Sequence, residues 1–230
     1  MSLWNWSGFF SYLFNPFLLG GVVTTIWLTA VSLVAGLILG FCIAMMRRSK
    51  WLPVKVIAKL YTWLFRGTPL LVQLIVIYTA LPVIGIKFTV TQAALLGLAL
   101  NEAAYLAEII RSGIEAVSEG QTRAGRALGM SERQIMRRIV MPQAFRIIIP
   151  PLGNSVNGLL KTTSVTSVIS MEELLRRTQI LIQEKFMVLE LFAVAAIYYL
   201  LLTTLWDLIQ VRIERHFGQS DQRLSLSEKR

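Results

Sequence analysis

Apolar residues fall into blocks of membrane-spanning length, separated by short segments that hold nearly all the charge. From Met1 to Met46 there is no Asp, Glu, Lys or Arg. Taking about 20 residues per crossing of the hydrocarbon core, the pattern predicts five transmembrane helices: Leu18 to Met46, Leu60 to Val83, Val90 to Ile110, Arg146 to Ile169 and Met187 to Val211. The expected fold class is all-α, a multi-pass transmembrane helical protein. No repeat, long linker or low-complexity segment divides the chain. Residues 18–215 therefore read as one transmembrane domain, preceded by an external segment, 1–17, and followed by a short disordered cytoplasmic tail, 216–230.

Composition changes this picture little. The 230 residues are 55% hydrophobic and only 16% charged, which excludes an ordinary soluble enzyme. The net charge of +10 would suit nucleic acid, but the basic residues lie between apolar blocks and not along one helix, so no nucleic-acid partner is expected. They set orientation instead. The segment after the first span holds Arg47, Arg48, Lys50, Lys55 and Lys59, and the one after the third holds Arg111, Arg123, Arg126, Arg133, Arg137, Arg138 and Arg146. The tail adds Arg212, Arg215, Arg223, Lys229 and Arg230. The other two connections hold Lys87 alone, then Arg176, Arg177 and Lys185 offset by Glu172, Glu173 and Glu184. The bias of Lys and Arg to the cytoplasm places the N-terminus outside and the C-terminus inside. Arg47, the first positive residue, follows the first apolar block, so that block is expected to stay as a span. Cys42, the single cysteine, reads as a small core residue. His216, the single histidine, reads as a surface residue, leaving no candidate for a metal centre or histidine chemistry.

The most patterned connection is Ala116 to Phe145, too long for a plain linker. Gln121 to Leu128 are helix formers with small side chains at Ala124, Gly125 and Ala127, and Gly129 stands where a left-handed cap would stop that helix. Ser131 and Gln134 have capping-box spacing and open a second helix with Ile135, Met136, Ile139 and Val140 on its apolar face. Pro142 ends this helix or bends it into the fourth span. Two readings stand. A small-residue helix lets another protein's surface approach the backbone, and a basic amphipathic helix can also lie on lipid headgroups through Arg133, Arg137 and Arg138.

Gly129, nine residues, then Ile139-Val140-Met141-Pro142 is the spacing of the EAA loop of ABC importer permeases. Together with FRGTPLLVQL, AYLAEIIRSGIEAV, GQTRAGRALGMS, RRIVMPQAFRIIIPPLGN and LLKTTSVTSVIS, it makes the chain resemble the polar amino-acid uptake permeases from about Gly20 to Arg215. The resemblance implies a type I ABC importer permease fold in a bacterial inner membrane, working by alternating access. It implies a second permease copy or homologous permease, two ABC ATPase subunits, and a soluble binding protein that delivers a polar amino acid. ATPase coupling would then fall on the loop at about 117–142, through Arg123, Ala124, Gly125, Ala127, Leu128, Gly129, Ile139 and Pro142. ATP and Mg would sit on the partner ATPase. This chain has no G-x-x-x-x-G-K-[ST] loop to cradle phosphates, and no cofactor or catalytic residue is expected on it. The chain departs from the family at Arg123, which replaces the glutamate of the triplet, at Met141, and at Lys161-Thr162-Thr163-Ser164, which lacks the usual acid beside the lysine. The rivals are a permease for another small polar solute and a self-sufficient secondary transporter or channel.

An ionisable side chain at a helix centre costs on the order of 3 kcal/mol by insertion scales, so Arg66, Glu102 and Lys161 call for a partner or a watery cavity. At 1.5 Å per residue, Arg66 and Glu102 both lie about 9 Å from the inner side, and their pairing would help close a cytoplasmic gate. Lys161 at roughly 22 Å and Gln73 at about 20 Å predict an outer layer, with Thr163 and Ser164, that faces substrate. Asn154 and Asn157 would line the path between. The same groups would equally serve as interhelical glue. Gly67-Thr68-Pro69 and Pro150-Pro151 are expected to interrupt the second and fourth spans, opening backbone to a cavity or simply kinking them. Gly36 and Gly40 form a small-xxx-small pair, and Glu108 and Arg111 are spaced to pair on the third span.

Overall fold

The structure, a computed structural model, describes residues 4–227, with side chains described through Phe217. In chain order the helices are α1 (Trp6–Tyr12), α2 (Pro16–Arg47), α3 (Leu52–Gly67), α4 (Leu70–Ile75), α5 (Val90–Glu115), α6 (Glu119–Ala127), α7 (Glu132–Ile135), α8 (Met141–Thr162), α9 (Leu174–Lys185) and α10 (Val188–Ser227). A π-helical turn and a 3-10 turn carry α4 on to Ile84, a π-helical turn over Met136–Val140 joins α7 to α8, and a 3-10 segment, Thr163–Ile169, extends α8. Local rules set several helix starts. Asn15 caps α2 with Pro16 in its first turn, and Thr89 with Gln92 closes a reciprocal capping box on α5.

Among the described residues, Pro16–Arg47, Val90–Glu115 and Val188–Phe217 are each long and apolar enough to cross a membrane. The segment expected as one second span is two helical legs, Leu52–Gly67 and Leu70–Ile84, meeting at 103°. Thr68 is extended there and Pro69 offers no N–H, so the helical ladder cannot continue. Pro150 and Pro151, by contrast, do not interrupt α8, which runs unbroken from Met141 to Thr162. They remove two N–H donors, but the helix stays packed on both sides through buried Ala144, Ile148, Val156 and Leu159. The last helix passes the expected end at Val211 and continues to Ser227, so the tail expected at 216–230 is helical backbone up to that point. Met1 to Leu3 of the expected external segment, and residues 228–230 of the tail, lie outside the described residues.

The α2–α5 pair is the spine of the molecule. Gly36 and Gly40 turn toward α5 so closely that a Cβ on Gly40 would stand 3.0 Å from the Ala103 carbonyl oxygen and from Leu106 Cβ. Small residues on α5, Ala93, Ala94, Ala99, Ala103 and Ala107, are buried, as close helix approach requires. Cys42 falls on the opposite side of α2 and is exposed, not a core residue: its neighbours Ile38, Leu39 and Phe41 share that outward surface.

Candidate substrate cavity and coupling loop

The break between α3 and α4 frees backbone carbonyls, and a buried glutamine collects them. Gln73 Nε2 donates to the Phe65 carbonyl at 2.9 Å, to the Thr68 carbonyl at 3.1 Å and to Thr68 Oγ1 at 2.9 Å. Asn101 on α5 donates to the same Phe65 carbonyl at 3.2 Å and to Gln73 Oε1 at 3.1 Å. Gln73 thus fixes the bend and does not join an outer substrate-facing layer.

Beneath the bend lies a cavity of about 360 Å³, within the range of small-molecule sites. Thr68, Pro69 and Leu70 form one wall, Leu98, Asn101, Glu102 and Tyr105 of α5 a second, and Ser155, Gly158, Leu159 and Thr162 of α8 a third. Glu102 is only 7% exposed, and its carboxylate accepts the Ser155 hydroxyl. A carboxylate set among a hydroxyl, an amide and an aromatic ring suits a small polar cation. Of the residues expected to line a path, Glu102 is the one the cavity contains. Asn101, Tyr105 and Ser155 are additions that the sequence pattern did not single out, whereas Thr68 lies in the Gly67-Thr68-Pro69 interruption.

Arg66 does not meet Glu102. Its guanidinium lies 3.9 Å from Glu108 and 5.4 Å from the centre of the Tyr105 ring. Asn101, Tyr105 and Glu108 follow one another at i, i+4 and i+7 and face α3, whereas Glu102 is about 100° further round α5 and faces α8 and Gly36. Depth alone suggested the pair, and azimuth separates it. Glu108 is the hub of the inner end: it binds Arg111 and lies 3.6 Å from Arg47, while Arg111 also binds Glu115.

The expected outer layer is likewise dispersed. Thr163 is fully buried and donates to the Leu160 carbonyl, and Ser164 donates to the Lys161 carbonyl, so both hydroxyls satisfy their own helix. Lys161 is exposed and forms no ion pair among the described residues. Asn157 donates to Asp207 at 2.5 Å and Asn154 accepts from Gln210 at 3.2 Å, so both asparagines join α8 to α10 and do not line the cavity.

The loop after α5 is folded throughout. Ser118 caps α6, and Gly129, at φ +74°, closes it: the Met130 N–H donates back to the Gly125 carbonyl at 3.0 Å. Ser131 and Gln134 complete their capping box, and Pro142 sits in the first turn of α8 past the π-helical turn. Arg126 of α6 reaches Glu132 of α7 at 2.6 Å, and the guanidinium holds that carboxyl below its usual range. Gly125 is buried against α7 and the π-helical turn. A Cβ there would stand 2.9 Å from Ile139 Cδ1 and 3.0 Å from Ile135 Cγ1, so this small residue serves packing inside the loop and not an outer contact. Ala124, Ala127 and Leu128 form the exposed side, with Leu128 81% exposed. Arg123 is also exposed and pairs with Glu119 at 2.8 Å.

Residues 32–219 match the family described as binding-protein-dependent transport system inner membrane component. The chain belongs to this family. It is 38% identical over 234 residues to the arginine transport system permease protein ArgU of Corynebacterium glutamicum, covering 96% of this chain and 74% of that one. It is 39% identical to the L-cystine transport system permease protein TcyB of Bacillus subtilis, over 90% of this chain and 88% of the relative. To the putative glutamine transport system permease protein GlnP of Rickettsia bellii it is 38% identical, over 90% and 97%. The crystal structure of an amino acid ABC transporter with histidines superposes with a TM-score of 0.89 at 35% identity, covering 94% of this chain and 100% of that chain. A chain of the inward-facing MetNI methionine ABC transporter, 19% identical with a TM-score of 0.74, shares the fold.

The chain is a permease subunit of an ABC importer, an inner-membrane component in bacteria, and not itself an enzyme. ATP hydrolysis belongs to a separate subunit, and such a permease works with ATPase and binding-protein components. A self-sufficient secondary transporter or channel is thereby set aside.

Proposed function

We propose that this permease imports a polar amino acid by alternating access, with the cavity under the α3–α4 bend as its substrate site. The observation that carries this reading is the Glu102 carboxylate, turned into a cavity of about 360 Å³ between the bend, α5 and α8. The relatives are named for arginine, cystine and glutamine, solutes that differ in side chain and share an α-ammonium group. A buried carboxylate is the complement of that shared group. Five crossings, with α8 as the fourth, and an external N-terminus match the distribution of Lys and Arg.

The working assembly contains two permease chains, identical or homologous, two ATPase subunits that carry ATP and Mg, and a soluble amino-acid-binding protein outside. The ATPase docks on the exposed side of α6, at Arg123, Ala124, Ala127 and Leu128. Closure of the ATPases moves the loop, and the Arg126–Glu132 contact with the Gly125 packing makes α6 and α7 move as one piece. Because α5 leads into this loop and α8 leaves it, both walls of the cavity receive the motion.

The test is reconstitution of the complete transporter in liposomes, with uptake of a panel of labelled amino acids measured with and without ATP. ATP-dependent uptake is expected, and Glu102→Gln is expected to reduce it at least tenfold while the ATPase still copurifies. Uptake that persists without ATP, or an unimpaired Glu102→Gln transporter, would overturn the reading.

A further inference from the structure

Helix α3 carries more charge than an ordinary span and more exposed apolar surface than a cytoplasmic helix requires. At 100° per residue its sixteen residues divide into three strips. Ala58 and Thr62 are buried against α2 and α5, and the Tyr61 hydroxyl donates to the Leu100 carbonyl at 2.7 Å. Leu52, Val56, Leu60 and Trp63 form an opposite strip that is 69%, 51%, 58% and 69% exposed. Between the two run Lys55, Lys59 and Arg66, at i, i+4 and i+11, and Arg47 donates to the neighbouring Thr62 Oγ1 at 2.9 Å. The nearby carboxylates, Glu108 and Glu115, are already engaged by arginines, whereas Lys55 and Lys59 form no ion pair among the described residues.

We propose that Lys55 and Lys59 bind the phosphate headgroup of an anionic phospholipid of the inner leaflet, whose acyl chains lie on Leu52, Val56, Leu60 and Trp63. The cytoplasmic side assigned to α3 rests on the orientation argued above. Three features select a lipid over a second permease chain. Lysines border the apolar strip, where the buried part of a protein interface is depleted of lysine. Trp51 and Trp63, 68% and 69% exposed, occupy the two ends of the strip, as interfacial aromatic anchors do. The 103° bend sets α3 crosswise to the leg that follows, so a helix lying along the headgroups keeps both ammonium groups at phosphate depth.

The site adjoins both moving parts of the transporter. Helix α3 ends at the Gly67–Thr68 bend that roofs the cavity, and Lys50, in the turn before α3, is close enough to Glu132 of the loop to add to the lowering caused chiefly by Arg126. Anionic lipid at α3 therefore stiffens the connection between bend and loop, and coupled transport depends on it.

The experiment is native mass spectrometry of the whole transporter in mild detergent, with phosphatidylglycerol or phosphatidylcholine added, and inorganic phosphate as competitor. Expected is selective retention of phosphatidylglycerol, reduced at least fivefold in Lys55→Gln/Lys59→Gln, preserved in Lys55→Arg/Lys59→Arg and unaffected by Lys87→Gln. Equal retention of both lipids, retention unchanged by the glutamine pair, or displacement by inorganic phosphate would overturn the proposal. So would loss of permease pairing in the glutamine variant, because it would show that a second chain covers the strip. In liposomes, ATP-driven uptake is expected to rise at least threefold when phosphatidylglycerol replaces a third of the phosphatidylcholine, and equal uptake would overturn the functional dependence. Absence of ATP-driven uptake in both membranes would instead count against the importer reading, while the lipid-retention result would stand on its own.

Discussion

The Ser155 hydroxyl on α8 is donated to the Glu102 carboxylate on α5, so a single hydrogen bond ties two walls of the cavity together. Hydrogen bonds to charged groups contribute about 1.5–3 kcal/mol, and a buried acceptor left unmet costs a similar amount. Ser155→Ala is therefore expected to raise the KM for uptake by roughly 10–150-fold, the equivalent of that energy at about 1.4 kcal/mol per tenfold. Ser155→Thr, which keeps the hydroxyl, should restore it. Unchanged KM in the alanine variant would show that Glu102 does not depend on this donor.

Gln73 provides a second test because it satisfies the open backbone of the bend and does not face the cavity wall. Gln73→Leu preserves approximate volume but leaves the Thr68 carbonyl without its side-chain partner and removes one of the two acceptors of the Asn101 amide. Each orphaned buried group costs about 1–3 kcal/mol, so the melting temperature of the detergent-solubilised protein should fall by several degrees. Gln73→Glu keeps the acceptor for Asn101 but turns a carboxylate with no hydrogen to give toward the Phe65 and Thr68 carbonyls, so it should fare no better than leucine. A glutamate variant as stable as the parent would refute that assignment.

The features readable in the sequence are those that local geometry dictates. The capping box of Ser131 and Gln134, the left-handed Gly129 and the inward pair Gly36 and Gly40 depend on spacings of three or four residues along one helix. The partner of Arg66 depended on two coordinates, and counting residues supplied only depth. Glu102 and Glu108 are six residues apart, or about 240° around the axis, so acids at reachable depths face different neighbours. Gln73 reads as substrate-facing when depth is counted at 1.5 Å per residue through Gly67-Thr68-Pro69, because an expected interruption carries no angle. The 103° bend turned it onto the carbonyls at its own base. Ser155 carries no pattern of its own, and its role arises only where α8 packs against α5.

Gly125 and Gly129 are both small, for different reasons, and substitution separates them. At Gly129 the positive φ opposes any side chain, and a left-handed residue costs about 1–2 kcal/mol, yet nothing lies within 4 Å of a Cβ there. Gly129→Ala should therefore weaken the loop modestly, with ATP-driven uptake reduced and ATPase binding retained. Gly129→Val, with a β-branched side chain, should do so more severely. At Gly125 the backbone is helical and the obstacle is Ile135 and Ile139, so Gly125→Leu should push α6 off α7 and lose ATPase copurification as well. If both positions behaved alike in the copurification assay, the distinction between a backbone cap and an internal packing contact would fail.

Glu108 differs from its neighbours in that Arg47, Arg66 and Arg111, from three different helices, converge on its one carboxylate. Removing the acid leaves three cations facing one another at the inner end, half-withdrawn from water, whereas removing Arg66 deletes a long contact of 3.9 Å and an approach of 5.4 Å to the Tyr105 ring, both from a side chain that is 42% exposed. Partly exposed pairs contribute about 0–1 kcal/mol, which bounds the effect of Arg66→Ala. Glu108→Ala should destabilise the purified permease by clearly more, because loss of attraction is compounded by unscreened repulsion. High salt should narrow the gap between the two variants by screening that repulsion. Melting temperatures of the two variants at low and high salt decide the matter. Equal loss in both, or a gap indifferent to salt, would mean that the carboxylate is one member of a surface network and not the charge that holds α2, α3 and α5 together.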